Sequence, residues 1–323
     1  MPYRRTRRAF LSSALPLAGM AAAVPFSGLT PAGIFAAEPT VGFRWALCNE
    51  TFGDWAFERV CAITAACGYT GIELAPFTFA KSVDDISAQR RAEIRRQAER
   101  AGLEVVALHW LLAKTEGYHL TSPDAEVRRH TAAYLASLAR FCAEVGGRLM
   151  VLGSPKQRDL LPGVDRAAGM KYAAEVLRVV EPTLKQTGVV IGLEPLSPKA
   201  TNFLTTAAEG EELVQRVATP HCRLHLDCLA MSTESTPIPE IIRKHRTMLV
   251  HFHANDPNGQ GPGFGKLDFV PILKTLREID YRGWVSVEVF DYSPGGERLA
   301  RESIRYLHQC ADKLGRVSRA DRT

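Results

Sequence analysis

From residue 43 onward, short apolar runs alternate with longer stretches whose apolar residues recur every three or four positions. The short runs cover residues 43–48, 71–74, 104–109, 148–152, 189–194, 223–227, 248–253 and 285–289. Each has the length and the branched or aromatic content of a strand buried on both faces. The stretches between and after them, 55–67, 85–101, 124–145, 165–187, 207–217, 238–246, 269–279 and 295–314, carry the helical period. Glycines 68, 102, 146, 147, 188 and 283 precede the next strand, as helix C-terminal glycines do. Eight strand–helix units in strict alternation predict a parallel sheet, and eight favour closure into an α/β (β/α)₈ TIM barrel. An open doubly wound sheet is the competitor. It would carry a glycine-rich phosphate turn after its first strand, and the chain has Asn49-Glu50-Thr51-Phe52-Gly53 there. The 111–123 connection is the one long loop, long enough to serve as a lid.

The first 37 residues break this pattern. Arg4-Arg5 and the twin-arginine element Thr6-Arg7-Arg8-Ala9-Phe10-Leu11 precede a mildly apolar stretch to about residue 26, and Ala36-Ala37 then lead into Glu38-Pro39. A basic start, an apolar middle and a small-residue exit make an export signal of the twin-arginine type. Pro16 and Pro25 interrupt the apolar stretch, which falls short of the roughly 20 residues of a spanning helix. The expectation is a signal over 1–37, a single barrel domain over 38–323, passage through the twin-arginine translocase and a periplasmic or otherwise exported protein.

Removing that segment changes the charge. It holds four arginines and no acids, so the formal charge of +5 falls to +1. A nearly neutral body argues against a nucleic-acid partner, which would need clustered Lys and Arg. Seven cysteines, at 48, 61, 67, 142, 222, 228 and 310, form no CxxC pair and read as buried thiols.

The strand ends carry the chemistry. In a barrel, functional side chains gather where strands meet the loops that follow them. Strand five ends in Glu194-Pro195, strand six in Asp227, strand seven in His251-Phe252-His253 and strand eight in Glu288-Val289. Carboxylates seldom end an apolar strand unless something offsets their charge. Glu194, Asp227, His253 and Glu288, on four successive strands, form an oxygen-rich set for one divalent cation. Such a set suits Mn²⁺, Mg²⁺ or Co²⁺ and is unlike a thiolate-type zinc site.

The strand-five Leu-Glu-Pro-Leu, the strand-six Leu-Asp, the His-Phe-His, the Val-Glu-Val-Phe and the loop Pro262-Gly263-Phe264-Gly265 together resemble the xylose-isomerase-like barrel superfamily. The likeness is to its sugar isomerase/epimerase branch, which includes D-tagatose and D-psicose 3-epimerases and hydroxypyruvate isomerase, and it covers about 43–314. It implies that Glu194, Asp227, His253 and Glu288 bind one divalent cation, usually Mn²⁺ in that branch, and that Glu194 and Glu288 also serve as catalytic acid and base. The metal polarises the substrate carbonyl and stabilises the enediolate left by proton loss. Proton return to the opposite face gives epimerisation; return to the adjacent carbon gives aldose–ketose isomerisation. The branch commonly carries an acid six residues after the strand-five glutamate and a histidine three after the strand-six aspartate. Here Ala200 and Ala230 stand at those positions.

The remaining candidates concern substrate. Glu73 would either pair with the inner face of the barrel or touch substrate. His109 and Trp110 would form a sugar-stacking wall, with a core role for His109 as its alternative, and Lys266 on the strand-seven loop would either contact substrate or be a solvated loop lysine. His251 is expected to turn away from His253. The arginines at 90, 91, 95, 96 and 100 read as a solvated helix face. The expected partner is a small-molecule keto-sugar or glycoside, without phosphate and larger than a free ketohexose; self-association into a homo-oligomer stays open. A lyase eliminating the substituent of a 3-keto-glycoside is the related alternative. An endonuclease-IV-like hydrolase would need three zincs and a basic channel, and a dead binding protein would not keep all four ligands.

Overall fold

A computed structural model describes residues 42–320, so the export signal expected over 1–37 lies outside the described residues. Eight strands run parallel: β1 (Arg44–Cys48), β2 (Gly71–Leu74), β3 (Glu104–Leu108), β4 (Leu149–Leu152), β5 (Val190–Leu193), β6 (Cys222–Asp227), β7 (Leu249–Ala254) and β8 (Trp284–Val287). They pair in chain order and close with β8 against β1. Each strand overlaps one of the eight apolar runs. The glutamates at 194 and 288 fall one residue beyond their strands, at the start of the following loops.

Among the described residues nine helices surround this sheet. They are α1 (Phe57–Ala66), α2 (Ala88–Arg100), α3 (Ala125–Glu144), α4 (Arg166–Thr187), α5 (Ala207–Val217), α6 (Cys228–Met231), α7 (Ile238–His245), α8 (Phe269–Glu278) and α9 (Gly296–Ala320). The single turn α6 has no counterpart in the periodic pattern, because four residues are too few to show a period. Side-chain oxygens of Ser87, Asp124, Asp165, Thr206 and Asp268 accept backbone N–H groups in the first turns of α2, α3, α4, α5 and α8. Each satisfies a donor that would otherwise be orphaned. Gly188 closes α4 in the left-handed region at φ 68°. On α2, Arg95, Arg96 and Arg100 pair with Glu99 and Glu93 at the surface, as a solvated face should.

The main core lies between strands and helices. A second apolar cluster, with Ala46, Val106, Leu149, Val190 and Trp284, plugs the interior near the strand starts. Trp284 fits because Gly71 has no side chain. A methyl group there would lie 2.6 Å from the indole and 2.7 Å from Val106. Gly71→Ala should therefore destabilise the barrel by about 1–3 kcal/mol through overpacking. A denaturant midpoint equal to wild type would show that the plug yields freely.

The 111–123 loop is not the free lid its length suggests. Leu111, Leu112 and Leu120 are buried, and Leu120 N–H donates to Gln157 O at 2.7 Å. Apolar residues inside the loop anchor it to the core.

Candidate metal centre

Asp227 and His253 are register partners on β6 and β7, which places their side chains side by side. Glu194 follows β5 and Glu288 follows β8 on either side of them. All four are buried, and one ligand atom from each lies within 4.8 Å of the others. The environment fixes each in turn. Asp227 Oδ1 accepts from Ala230 N at 2.8 Å, capping α6, and Oδ2 accepts from Asn255 Nδ2 at 2.5 Å. The buried Arg158 donates to the Glu194 carbonyl at 2.6 Å and to Leu204 O at 3.2 Å, setting the loop after β5. Trp110 Nε1 donates to Glu288 Oε1 at 2.8 Å.

Three buried carboxylates around one imidazole repel one another, and protons relieve the repulsion. Burial, reinforced by Glu288 and Asp227, holds Glu194 well above the ordinary carboxylate range. Burial and Glu288 push Asp227 up to about 6. Burial opposes charge on Glu288 as well, but His253 prevails and holds that carboxyl below its usual value. Burial would make His253 less basic, yet Glu288 and Glu73 keep it well above an ordinary histidine. His253 Nδ1 lies 2.9 Å from Glu288 Oε2, a contact that needs a proton between them. Glu194 Oε1 is buried without a hydrogen-bond partner, with His225 Nε2 3.7 Å away. A hard divalent cation would replace these protons and engage that oxygen, so the donor set fits the ion expected. Binding should therefore release protons and tighten as pH rises through about 6. Calorimetric Mn²⁺ titrations on either side of that value check the sign, and tighter binding at the acid end would contradict it.

The substrate candidates separate. Glu73 does not line the cavity: it is fully buried beneath the site, on the inner-face alternative. Its carboxylate meets His251 Nε2 at 2.5 Å and His253 Nε2 at 3.2 Å. His251 and His253, two residues apart on one strand, share a face, which corrects the expectation that they diverge. Glu73 thus holds the far nitrogen of His253 and turns Nδ1 toward the carboxylates, the arrangement that orients metal-binding histidines. Glu73→Gln should weaken Mn²⁺ binding about 10–100-fold; unchanged affinity by chelator competition would contradict this.

His109 is likewise buried, 2.6 Å from Glu50 Oε2, and is absent from the cavity wall. Trp110 does line the cavity, packed against Phe77 and Phe290 at 6.1 Å each. Lys266 is exposed and outside the lining, because the 259–265 loop folds onto Asp256, whose carboxylate accepts the N–H groups of Gly263, Gly265 and Leu267.

The cavity over the cluster has a volume of about 420 Å³, with Glu194, Asp227 and Glu288 in its lining. Ala200 and Ala230 also line it, beside Leu196 and Leu229. Sequence reasoning missed Glu50, Arg158 and Asn255. Glu50 lies in a single 3₁₀ turn and Arg158 just after another, both too short to show a period. Asn255 carried a signal, standing two residues past His253 on the same face. The cysteines are free thiols, six of them buried.

Known proteins bear on this arrangement. A probable ketose 3-epimerase of Synechocystis sp. is 26% identical over 259 residues, 75% of this chain and 86% of the relative. The 3-dehydro-D-guloside 4-epimerase of Escherichia coli is 27% identical over 163 residues, 50% of this chain and 59% of that protein. The crystal structure of a D-psicose 3-epimerase determined with D-fructose superposes with a TM-score of 0.73 at 22% identity, covering 82% of this chain and 98% of the other. The family described as xylose isomerase-like TIM barrel matches residues 61–310. With the closed eight-stranded barrel and a match that spans most of its length, this chain belongs to the xylose isomerase-like TIM-barrel family.

Proposed function

We propose that this protein is a divalent-metal-dependent sugar epimerase or isomerase that moves a proton beside the carbonyl of a keto-sugar. The observation that carries the reading is that Glu194, Asp227 and Glu288 line one largely apolar cavity, with His253 clustered against them. The relatives named as ketose 3-epimerases and as a 3-dehydro-D-guloside 4-epimerase support the same class.

Glu194, Asp227, His253 and Glu288 would hold the cation, which supplies a Lewis acid for the carbonyl. The rest falls to the chain. Glu194 and Glu288, carried on non-adjacent strands, take a proton from carbon and return one. Trp110 fixes Glu288 by its indole N–H and offers its ring to the sugar face. Ala200 and Ala230 leave room beside the reacting end, which suits a substituted keto-sugar over a free ketohexose. Each hydrogen bond a ketohexose would forgo there is worth on the order of 1 kcal/mol.

Incubating Mn²⁺-loaded protein with a 3-keto-glucoside and with free ketohexoses, with products read by NMR, tests this. Epimer from the glycoside at the higher kcat/KM is expected. Release of the free substituent would instead assign the eliminating reaction, and inertness of every keto-sugar would overturn the proposal.

We also propose that residues 1–37 direct export by the twin-arginine route, on the strength of Arg7-Arg8 and the small-residue exit. Arg7→Lys/Arg8→Lys should then remain in the cytoplasm on fractionation. Equal export of that variant would refute the assignment.

A further inference from the structure

The cavity has two unlike ends. Its base holds buried carboxylates, whereas Lys114 and Lys156 line it with exposed side chains, on the loops after β3 and β4. Neither lysine has a carboxylate within 4.0 Å among the described residues; the lysines that do, Lys171 and Lys274, lie on the outer helices α4 and α8. A solvated surface lysine is common, but three observations set this pair apart.

The Lys114 ammonium is seated 4.1 Å from the centroid of the Phe77 ring, and Phe77 packs edge-on against Trp110. The cation therefore rests on a ring that backs Trp110, the cavity-lining residue that holds Glu288. The backbone beneath the pair is strained. Six non-glycine residues of the described chain have left-handed φ, and Trp110, Lys114 and Ser154, at 54°, 59° and 44°, are three of them. Left-handed backbone is unfavourable for a residue with a side chain, and strain of this kind gathers at ligand sites. The two loops are also joined, because Leu112 N–H donates to Ser154 Oγ at 3.1 Å. Strained, cross-linked loops thus carry two ammonium groups without counter-ions along one face of the cavity.

We propose that Lys114 and Lys156 form a subsite for an anionic group, a carboxylate or a phosphate, on the substituent of the keto-sugar. The keto end faces Glu194 and Glu288 while the acidic end meets the lysines. This assignment rests on the keto-sugar reading above. It reopens the expectation of a substrate without phosphate, which weighed the loop around Lys266 and the export signal but not these two lysines.

The test uses three 3-keto-glucosides that differ only in the end of the substituent: neutral, carboxylate and phosphate. Exposed charge pairs contribute up to about fivefold each, so kcat/KM should favour an acidic compound about tenfold at low salt. The preference should shrink as salt is added. It should fall to near unity in Lys114→Gln/Lys156→Gln, through KM and not kcat. Which acid is preferred identifies the source of the anion. Equal kcat/KM for all three, or a preference that the double substitution leaves intact, overturns the proposal. Calorimetric binding of the same compounds to wild type and variant decides the subsite without turnover. Charge-dependent binding with no turnover would count against the keto-sugar chemistry alone, whereas charge-blind binding would count against the lysines.

Discussion

Replacing Glu194 or Glu288 by glutamine will lower kcat by roughly 10²–10⁴-fold. An amide keeps the size and one oxygen of the carboxylate but cannot take or return a proton at neutral pH, so the loss falls on the chemical step. Both residues also belong to the proposed ligand set, and a weakened metal would mimic a lost base. The comparison is therefore made at saturating Mn²⁺, with metal content measured on the same samples. Glu288→Gln has a structural control, because the Trp110 indole can still donate to the amide oxygen. The double variant should be little worse than the poorer single one, since residues that act as a unit are strongly non-additive. Turnover above a tenth of wild type in either metal-replete variant would remove that residue from the proton path.

Asp227→Ala and His253→Ala will each release the cation. Losing an outer partner of a metal ligand costs about 10–100-fold in affinity, and losing a ligand should cost more. The fold should tolerate both changes unequally. Asp227 caps α6 and receives Asn255, so its alanine variant loses about 1 kcal/mol of cap energy and frees a buried amide. His253→Ala leaves Glu73 with His251 as its nearest partner. Thermal unfolding of metal-free samples separates these costs from metal binding. Full metal retention in both variants by elemental analysis would refute the ligand set.

The barrel was legible because its signal repeats: eight buried strands and eight amphipathic helices each obey a period that survives without tertiary context. The acidic and histidine strand ends were legible for a related reason, as polar residues interrupting apolar runs at equivalent places. The supporting groups were not. Arg158 reaches the Glu194 carbonyl from a loop with no period, and Glu50 meets His109 across 59 residues of chain. Lys114 and Lys156 carry no sequence signal, because a loop lysine looks solvated until its neighbours are placed. Lys266 showed the reverse, adjacent in sequence to a promising glycine loop yet outside the cavity. Alternation along β7 was available from the sequence alone, and it puts His251 and His253 on one face, over Glu73.

Turnover in deuterium oxide tests the proton-transfer account most directly. Wild-type protein loaded with Mn²⁺ would be given a keto-sugar it converts, and the product examined by NMR and mass spectrometry. Solvent deuterium on the carbon beside the carbonyl, absent from a control without protein and lost with the activity in Glu194→Gln, is the result predicted. Full conversion with no deuterium entering either product or recovered substrate would contradict it and point to transfer of hydride between carbons.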